Sequence, residues 1–540
     1  MKSYVETRIR TKKRCCRRGW RRVLALAVAV GCVWCSTGCQ DEQASSHSAA
    51  EDSPYLASEE PLELSLFYLN SGYTFDEGNE VFQRAAELTN VSLKSVISQS
   101  SSDAEQAFNL MISSKNLADI VQYEDMDAFI KYGNEGAFED LNPLIEQYAP
   151  HIKQFFDENP EIKKMVTSPE GKLYFIPQIP DGEASKGWFI RQDWLDKLGL
   201  SAPTTSEEFY QVMKAFKEQD PNGNGQADEI PYFSRDAGAG YENSVSDLLM
   251  MFNAYKDFYI KNGTLEYGPI QPEYRDAYKE ISKWYQEGLI DQEIYTRGNK
   301  ARNELLAGNT GGITHDWFAS TAEFNDRLPA TIENFSFVPF TPPKGPDGVI
   351  REAAKRAVIS GSGWAISTSN QHKEETMKFF DFWFTEEGRR MENFGIEGKH
   401  YTMQDGRPVL TDLVLNNPDM TPFDVLSEAG AQMNFGYQQD FWYEEQWTND
   451  IAMQGVREYE ENNYFIEQVP SFSKPDDIAE RLQELARQIE TYNQETTQKW
   501  VLGGLDVDAS WDEYIETMQT LGVEEYVSLM QQAYEDYKAK

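Results

Sequence analysis

Residues 188–231, WFIRQDWLDKLGLSAPTTSEEFYQVMKAFKEQDPNGNGQADEIP, decide how this chain is interpreted, because their second half joins a helix to a strand through an unusual loop. The helix is indicated by apolar side chains that recur on one face, namely Phe209, Val212, Met213 and Phe216. Thr205 and Glu208 have the spacing of a capping box, which predicts that the helix begins there. We expect it to end near Gln219 and the next strand to begin at Ile230.

The loop DPNGNGQADEIP, residues 220–231, places oxygens at the spacing of an EF-hand calcium loop. Ligands of such a loop fall at positions 1, 3, 5, 7 and 9, which here are Asp220, Asn222, Asn224, the carbonyl of Gln226, and Asp228. Position 12 is Pro231, which has no side-chain oxygen, so the remaining carboxylate must come from Asp228 or Glu229. Hard oxygen ligands without His or Cys nearby select Ca²⁺, in a structural role. The alternative is a Pro-Asn-Gly turn without a metal.

Strands and helices alternate through most of the chain, which predicts the α/β class. Apolar patterning predicts strands at residues 62–70, 117–124 and 171–180, and helices at residues 77–90, 273–288 and 373–395. Trp284, Tyr285 and Trp383 lie at helical spacing, so we expect them in the core. The roughly 480 residues that follow the N-terminal segment are too many for one small core and indicate two lobes.

The first 39 residues have the composition of a secretory signal. Ten Lys and Arg residues against one acid, Glu6, precede the apolar run VLALAVAVGCVW at residues 23–34. A run of about twelve residues rises only about 18 Å as a helix, well short of the roughly 30 Å hydrocarbon core of a bilayer. The segment therefore predicts a signal peptide at residues 1–38, followed by a flexible acidic tether at residues 39–60.

The sequence CSTGC, which ends at Cys39, resembles the lipobox of bacterial lipoproteins, although Ser36 stands where that motif usually has an aliphatic residue. The resemblance implies that Cys39 is lipidated and holds an extracytoplasmic protein at the outer face of the cell membrane. Ordinary signal cleavage is the alternative. All five cysteines lie at or before Cys39, which excludes disulfides and cysteine-ligated zinc in the mature chain. Without the signal, the formal charge of −39 becomes −39 − 9 = −48, so binding to nucleic acid phosphates is excluded.

Residues 188–231 as a whole resemble the extracellular solute-binding proteins of bacterial ABC importers, in particular the long lipoprotein branch that takes up oligosaccharides. Further segments resemble the same branch in the same order: LADIVQY, GKLYFIP, GLIDQEIYT, GGITHDWFAS, GIEGKHYTMQDGRP, YQQDFWYEEQW and WDEYIETMQTLGVEEYVSLMQQAYEDYK. Together they cover nearly the whole mature chain. In this family the loop corresponding to residues 220–231 binds one calcium ion, which adds weight to the spacing of its oxygens.

The resemblance implies a two-lobed periplasmic-binding-protein-like fold with a ligand cleft between discontinuous lobes. We expect lobe 1 at residues 61–178 and 362–430. Lobe 2, which contains the calcium loop, is expected at residues 179–361 and 431–540. The chain should cross between the lobes near residues 177–182, 361–364 and 429–435.

Candidate ligand residues combine the two chemistries of sugar recognition, which are aromatic rings for C–H faces and polar groups for hydroxyls. The candidates for stacking are Tyr73, Tyr123, Trp317, Trp442 and Tyr443, and those for hydrogen bonding are Asn70, Glu124, Asp125, Asp316, Gln439 and Asp440. For any one aromatic residue, burial in the core is the alternative. Trp317 is favoured, because in the resembling family a tryptophan that follows a strand at this point lies in the cleft.

The resemblance implies a monomeric, lipid-anchored receptor that captures an oligosaccharide and delivers it to the membrane permease of an ABC importer. No catalytic residues are predicted, since the sequence has no HExxH, no phosphate loop ending in GK[ST] and no GxSxG. Two alternatives stay open, an extracellular glycoside hydrolase and a surface sensor without transport. A peptide ligand also stays open.

Overall fold

The computed structural model describes residues 53–70, 73–98, 101, 103–235, 245–417 and 420–540. All of them belong to one unit, residues 48–540. The predicted signal peptide, Cys39 and the first part of the predicted tether lie outside the described residues.

The strands are mostly short. They are β1 (Leu62–Phe67), β2 (Leu69–Asn70), β3 (Tyr73–Thr74), β4 (Val91–Ser95), β5 (Ile120–Tyr123), β6 (Ile176–Pro177), β7 (Lys186–Arg191), β8 (Ile230–Tyr232), β9 (Phe258–Lys261), β10 (Thr264–Tyr267), β11 (Gly311–Trp317), β12 (Phe337–Phe340), β13 (Gly363–Ile366), β14 (Tyr401–Gln404) and β15 (Arg407–Leu410).

Helices surround the strands and dominate the C-terminal part of the chain. They are α1 (Glu80–Thr89), α2 (Ala104–Ser114), α3 (Met126–Asn134), α4 (Asn142–Tyr148), α5 (Pro150–Glu158), α6 (Pro160–Val166), α7 (Gln192–Leu198), α8 (Ser206–Glu218), α9 (Pro272–Gln286), α10 (Ala301–Ala307), α11 (Phe318–Ala322), α12 (Phe324–Arg327), α13 (Lys373–Phe382), α14 (Glu386–Phe394), α15 (Asp412–Leu415), α16 (Pro422–Ala429), α17 (Trp442–Glu445), α18 (Asp450–Glu461), α19 (Asp476–Val501), α20 (Val507–Thr520) and α21 (Val523–Ala539).

Two larger sheets organise the molecule, which confirms the predicted α/β class. The first sheet has the order β4-β1-β5-β13-β6, in which β1 runs parallel to β4 and β5 while β13 runs antiparallel to β5 and β6. The second sheet has the order β12-β7-β11-β8, in which β11 is parallel to β8 and antiparallel to β7. Each sheet falls within one predicted lobe, and the lobe boundaries themselves stay a prediction.

The chain passes twice between matching edges of the two sheets. β6 ends at Pro177, which pairs with Gly363 and lies at the edge where β5 also ends. β7 begins at Lys186, which pairs with Trp317 at the end of β11. After β12 ends at Phe340, the chain returns to the first sheet at Gly363. We call these the first-sheet edge and the second-sheet edge, and the two connections join them along the chain.

Helix α8 has the buried face that the sequence predicts, since Phe209, Val212, Met213 and Phe216 are all buried. Its cap differs in detail from a capping box. The Thr205 hydroxyl accepts a hydrogen bond from the backbone N–H of Glu208 at 3.2 Å. The Glu208 carboxylate, however, accepts from the N–H and hydroxyl of Thr204, at 2.8 and 2.7 Å, and so reaches one residue beyond the cap.

Residues 373–395 form two helices, α13 and α14, where the periodicity predicted helix throughout. The break falls at residues 383–385, and the Thr385 hydroxyl accepts from the N–H of Gly388 at 3.1 Å to cap α14. Trp383 at this break is buried, as are Trp284 and Tyr285 in α9, which confirms all three as core residues.

Residues 53–60 pack against the first sheet and its helices, although they were predicted as part of a flexible tether. The N–H of Ala57 donates to the carbonyl of Thr89 at 2.9 Å, and Ala57 is buried. The Tyr55 ring lies 5.5 Å from the Phe382 ring. The folded part therefore begins before residue 61, because Tyr55 and Ala57 anchor this segment.

Of the three C-terminal helices, α19 and α20 pack on α9, while α21 packs on α19, α20 and β10. The hydroxyls of Tyr274 and Tyr514 both donate to Oδ1 of Asn493, at 3.1 and 2.9 Å, inside this bundle. In the part of the chain that the structure describes, no helix has the length and apolar character needed to cross a membrane.

Candidate functional site

Trp317 occupies the end of β11 at the second-sheet edge. It is the most exposed tryptophan of the described chain, with 41% of its surface accessible. Parallel strands β8 and β11 both end at this edge, and ligands of α/β sheets bind beyond the carboxyl ends of parallel strands. An accessible indole ring at this position can stack on the apolar face of a ligand.

Asp316 precedes this tryptophan and is buried. Its Oδ1 accepts from Nε of Arg235 at 2.8 Å and from the backbone N–H of Trp317 at 2.7 Å. Its Oδ2 accepts from Nη1 of Arg302 at 3.1 Å. Asp316 was predicted to hydrogen-bond a ligand, and this stays a prediction; in this structure its carboxylate accepts hydrogen bonds from two arginines and from the backbone of Trp317.

Arg235 and Arg302 are functional candidates that the sequence reasoning missed. Arg235 follows β8 and Arg302 lies in α10, so they are far apart in sequence and meet only through Asp316. In the sequence, these two arginines could have been noticed only as basic residues close to predicted strand ends in a strongly acidic chain. That observation is weak unless the sheet topology is known.

His315, also on β11, is buried between two carboxylates. Its Nε2 lies 3.1 Å from Glu352 and its Nδ1 lies 3.3 Å from Asp247. Burial lowers the pKa of His315, but the two carboxylates outweigh it and raise the pKa to about 10. The imidazole is therefore charged at neutral pH and ties the chain near Asp247 and Glu352 to the second sheet.

At the first-sheet edge, two of the predicted residues already have partners in the protein. Half-buried Tyr123 stacks on Phe108 with ring centroids 3.8 Å apart, so one of its faces is covered. Asp125 caps α3 by accepting from the backbone N–H groups of Asp127 and Ala128, at 2.9 and 3.3 Å. Both residues therefore stabilise this edge as well as bordering it.

Asn70 and Glu124 are the better placed polar groups at the first-sheet edge. Asn70 is buried, and its Nδ2 has no hydrogen-bond partner among the described residues. Glu124 is exposed, yet partial burial raises the pKa of its carboxyl, which a hydrogen bond from Asn434 partly offsets. Tyr73 pairs with Asn70 in the β2–β3 hairpin.

The same edge holds the connections between the sheets. Nε2 of Gln122 donates to the hydroxyl of Ser362 at 3.1 Å, and that hydroxyl donates to the carbonyl of Asn434 at 3.2 Å. The chain then bridges from Gln438 to Ile179 in the first connection. Three connecting segments therefore meet at the end of β5, directly beside Glu124.

Residues 439–443 follow this meeting point, and their contacts lie away from Trp317. Gln439 donates to Gln432 at 3.1 Å and to the hydroxyl of buried Tyr443 at 3.3 Å. Asp440 accepts from the N–H of Trp442 at 3.0 Å. The Trp442 indole N–H donates to the carbonyl of Pro408 at 2.8 Å, and the Arg407 guanidinium lies 4.2 Å from its ring.

Trp442 and Asp440 line a cavity of about 320 Å³. Other lining residues are Arg389, Arg390, Arg407 and Pro408. This cavity borders the β14–β15 hairpin and does not include Trp317. The predicted ligand residues therefore divide into two groups, those at the two sheet edges and those around Trp442.

The loop at residues 220–231 folds as a tight turn around its carboxylates. Backbone N–H groups of Asn224 and Gly225 donate to Asp220 at 3.1 and 3.0 Å, and Gly225 has the positive φ of 76° that the sharp turn requires. The side-chain amides of Asn222 and Asn224 donate to Asp228 at 2.9 and 3.0 Å. The Gln226 N–H donates to Asn224 at 2.7 Å.

Glu229 is the residue in this loop that lacks a partner. It is fully buried, and neither carboxyl oxygen has a hydrogen bond among the described residues. Burial raises the pKa of Glu229 more than the nearby backbone N–H groups of Glu229 and Asn222 lower it, and the charges of Asp228 and Asp220 also raise it. A buried carboxyl beside two further acids fits a cation, since an unpaired buried charge is costly.

Within the described ranges, no three Asp, Glu, His or Cys side chains are grouped closely enough to hold a metal by themselves. A cation in this loop would therefore also depend on the amide oxygens of Asn222 and Asn224 and on the Gln226 carbonyl. Rotation of the two amides would exchange their N–H donors for oxygens beside Asp228.

Comparison with known proteins agrees with this architecture. The family model for bacterial extracellular solute-binding proteins matches residues 72–390. The fructooligosaccharide ABC transporter substrate-binding protein FusA of Streptococcus pneumoniae is 26% identical over 81% of this chain and 84% of its own length. Lipoprotein LipO of Bacillus subtilis is 28% identical over 58% of this chain and 62% of its own length.

Among solved structures, that of the alginate-binding protein AlgQ2 without calcium ion is similar over 89% of this chain and all of its own. Its sequence identity is 38% and its TM-score is 0.81. The match of the family model to more than half of the sequence, together with two sheets joined at matching edges, shows that this chain belongs to the bacterial extracellular solute-binding proteins.

Proposed function

We propose that this protein is the substrate-binding protein of an ABC importer, which captures an oligosaccharide between its lobes and delivers it to permease subunits in the membrane. The observation that carries the proposal is the exposed Trp317 ring at the carboxyl ends of parallel strands. Two similar proteins support it, because FusA is named for fructooligosaccharides and AlgQ2 for alginate. No bond chemistry is part of the proposal.

The proposed binding surface lies between the two sheet edges. Trp317 supplies the stacking ring, while the unpaired Nδ2 of Asn70 and the accessible carboxyl of Glu124 meet ligand hydroxyls. Tyr73, Tyr123 and Asp125 border this surface. A buried amide nitrogen without a hydrogen-bond partner among the described residues supports a polar ligand, because it costs free energy until it donates a hydrogen bond.

Residues around Trp442 form a second part of the proposal. Gln439, Asp440, Trp442 and Tyr443 would contact a longer ligand that extends beyond the connecting segments. Their present contacts make Trp442 a packing residue as well, since Arg407 covers one face and Pro408 accepts its N–H. Their contribution to affinity should therefore be smaller than that of Trp317.

The loop at residues 220–231 is proposed to hold one structural Ca²⁺. Its ligands would be the side chains of Asp220, Asn222, Asn224, Asp228 and Glu229 and the carbonyl of Gln226. The buried, unpaired carboxyl of Glu229 supports this, as do the adjacent acids Asp220 and Asp228. The ion would neutralise these charges and fix the joint between α8 and β8.

Cys39 is proposed as the site of a lipid anchor that holds the protein at the outer face of the cell membrane. The lipobox-like sequence before it supports the proposal, as does the name lipoprotein carried by LipO. Mass spectrometry of the membrane fraction tests it, because an acylated chain beginning at Cys39 is expected. An unmodified N-terminus elsewhere would contradict it.

The receptor function is tested by a thermal-shift panel of oligosaccharides, followed by product analysis. A sugar at about 100 times its dissociation constant should stabilise the folded protein by roughly 2.7 kcal/mol. We expect such a sugar to be recovered unchanged. Cleavage during incubation would favour a glycoside hydrolase, and a panel in which peptides stabilise the protein and sugars do not would contradict the sugar receptor. A monomer is expected in solution.

Transport is tested separately from binding. In the native bacterium, deletion of this protein should abolish uptake of the labelled sugar, and the wild-type gene should restore it. Unchanged uptake with intact binding would favour a surface sensor.

A further inference from the structure

Three segments of the chain connect the part that carries the first sheet to the part that carries the second. The first connection, residues 178–185, runs from β6 to β7, and the second connection, residues 341–362, runs from β12 to β13. The third connection, residues 436–449, runs from a segment that packs on β13 to α18, which packs on β12. Arg356 belongs to the second connection and contacts the other two.

Arg356 is bonded to the first and third connections through different groups. Its backbone N–H donates to the carbonyl of Glu183 at 2.8 Å, and its Nε donates to the carbonyl of Ala184 at 3.2 Å. Its Nη2 donates to both carboxylate oxygens of Glu444, at 2.7 and 2.6 Å, and its guanidinium lies 5.0 Å from the centre of the Phe441 ring. Because the donors of a guanidinium have fixed positions in one plane, these contacts set the positions of the three connections relative to one another.

The ion pair between Arg356 and Glu444 is nearly buried, with 10% and 14% of the two side chains exposed. Charge-assisted hydrogen bonds are short and strong, and a buried ion pair loses much stability when one partner is removed. An exposed ion pair contributes little by comparison. This pair can therefore hold the second and third connections together.

The first and third connections also contact each other beside Arg356. The N–H of Phe441 donates to Oδ2 of Asp181 at 2.8 Å. Gly182 has a positive φ of 85°, and a Cβ at this position would lie 3.1 Å from the Phe441 ring, so the approach requires glycine. The N–H of Ala184 donates to Oε1 of Glu460 in α18 at 3.1 Å, which attaches this group of contacts to the second-sheet part. We call Glu183, Ala184, Arg356, Phe441 and Glu444 the arginine cluster.

A separate set of contacts joins the same connections on the side of the first sheet. The carbonyl of Gln178 accepts from the N–H of Ser360 at 2.9 Å. The N–H of Ile179 donates to the carbonyl of Tyr437, and the carbonyl of Ile179 accepts from the N–H of Gln439, both at 2.9 Å. These backbone hydrogen bonds attach the three connections to the first-sheet part.

Short stretches separate the arginine cluster from these backbone contacts, namely residues 180–182, residues 357–359 and Asp440. The second connection has room to move here, because Val358 is 50% exposed and the connection lines a cavity of about 490 Å³. Hinge motions concentrate the change in φ and ψ in a few residues between packed regions. A rotation of one sheet relative to the other would therefore bend these three stretches, while the arginine cluster moves with the second sheet.

We propose that Arg356 is a positioning residue, which joins the three connections so that they bend together and thereby slows the release of a bound oligosaccharide. The inference rests on the proposed function for its effect on sugar binding. Without the arginine cluster, each connection could bend separately, and more conformational freedom would be lost when a sugar is held between the two parts. Arg356 itself does not contact the sugar.

The first test is hydrogen exchange, followed by mass spectrometry, on the full mature chain without sugar. Arg356→Lys keeps the charge, but a single ammonium group cannot reproduce the bonds to both neighbouring connections. We expect the backbone amides of residues 178–185, 352–359 and 436–445 to exchange about 10-fold faster, which corresponds to the loss of one hydrogen bond to a charged group. Glu444→Gln should have the same effect, because it removes the charge from the same pair.

Arg297→Lys is the matched control for this substitution. Arg297 is 15% exposed and donates to both oxygens of buried Asp291, at 2.7 and 3.0 Å, yet it lies outside the three connections. It should leave exchange in all three connections unchanged. Melting curves establish that each variant is folded.

The second test measures the rates of association and dissociation for the tightest-binding oligosaccharide of the thermal-shift panel. In Arg356→Lys the dissociation rate should rise about 10-fold, while the association rate stays close to that of the wild type. Arg297→Lys should change neither rate. A residue that only stabilises the fold would not produce this difference between the two variants.

The outcomes separate this inference from the function on which it rests. Faster exchange confined to residues 352–359 would overturn it, because Arg356 would then stabilise only its own connection. Faster exchange in all three connections with an unchanged dissociation rate would overturn the role in sugar retention. Failure of every sugar of the panel to bind would overturn the proposed function, and the exchange measurement would still test whether Arg356 joins the connections.

Discussion

Trp317 is the single residue on which most of the binding energy should depend. Removal of a stacked, buried aromatic anchor costs about 1 to 3 kcal/mol, so Trp317→Ala should weaken oligosaccharide binding roughly 5-fold to 150-fold. Phe423→Ala is the matched control, because Phe423 is equally exposed, at 44%, but does not follow a strand. Calorimetric titration of both variants checks the prediction, and equal loss in the two would remove Trp317 from the site.

Replacement of Glu229 is expected to change the stability of the calcium-free protein and its calcium affinity in opposite directions. Its pKa is raised by burial without a cation, so the folded calcium-free protein binds this proton more tightly than the unfolded chain and loses stability as pH rises. Glu229→Gln should therefore raise the melting temperature in chelator at neutral pH. The same variant should not show the rise in melting temperature that calcium is expected to cause in the wild type.

The calcium response should also depend on pH in the wild type, because the ligand carboxyl must be ionised. The calcium-induced rise in melting temperature is expected to be larger at pH 7 than at pH 5. Glu218→Gln replaces an exposed residue at the end of α8, the helix that precedes the loop. It should change neither the melting temperature in chelator nor the rise that calcium causes. If chelator leaves the wild-type melting curve unchanged at both pH values, the loop is an ordinary turn.

Asp316 illustrates what residue type alone leaves undecided. The sequence places the Asp316 carboxylate beside Trp317. This is compatible with direct contact to a sugar and with positioning of neighbouring protein groups. The contacts that Asp316 makes with Arg235 and Arg302 come from distant segments that approach it through tertiary packing. No local pattern encodes that approach.

At the scale of elements, α8 shows how far local sequence rules extend. Its buried face follows from the helical period, yet the Glu208 carboxylate reaches Thr204 instead of the cap residue. Loss of an N-cap hydroxyl costs about 1 kcal/mol, so Thr205→Ala should lower the free energy of unfolding by that amount. Urea denaturation measures it. Thr205→Ser keeps the hydroxyl and should remain close to wild type, and an equal loss in both variants would contradict the capping role.

The apolar periodicity of residues 373–395 does not predict that they divide into two helices. The apolar run around Trp383 continues the helical pattern, but Thr385 accepts the N–H of Gly388 and starts a new helix. A buried threonine can cap a helix or sit inside one, and packing around Trp383 decides between them. The packed segment at residues 53–60 has the same explanation, since Tyr55 finds Phe382 only in the folded chain.

At the scale of the whole molecule, the α/β class and the two-lobed fold were predicted, and the geometry of the site was not. The sequence predicted β1, β5 and β6 of the first sheet and β8 of the second, whereas the other strands of both sheets were not predicted individually. Their edges are joined along the chain because β6 leads to β7 and β12 leads back to β13, and the register within each sheet depends on contacts between residues far apart in the chain. Asn70, Glu124 and Trp317 can therefore be assigned to one proposed site only when the sheet registers are known.

The central claim is that an oligosaccharide binds between the first-sheet and second-sheet edges. A crystal structure of the complex with the tightest-binding sugar of the panel tests it most directly. We expect a sugar ring against the face of Trp317, with polar groups within hydrogen-bond distance of Asn70 or Glu124. A sugar found instead in the cavity beside Trp442 and Arg407, with Trp317 still exposed to solvent, would contradict it.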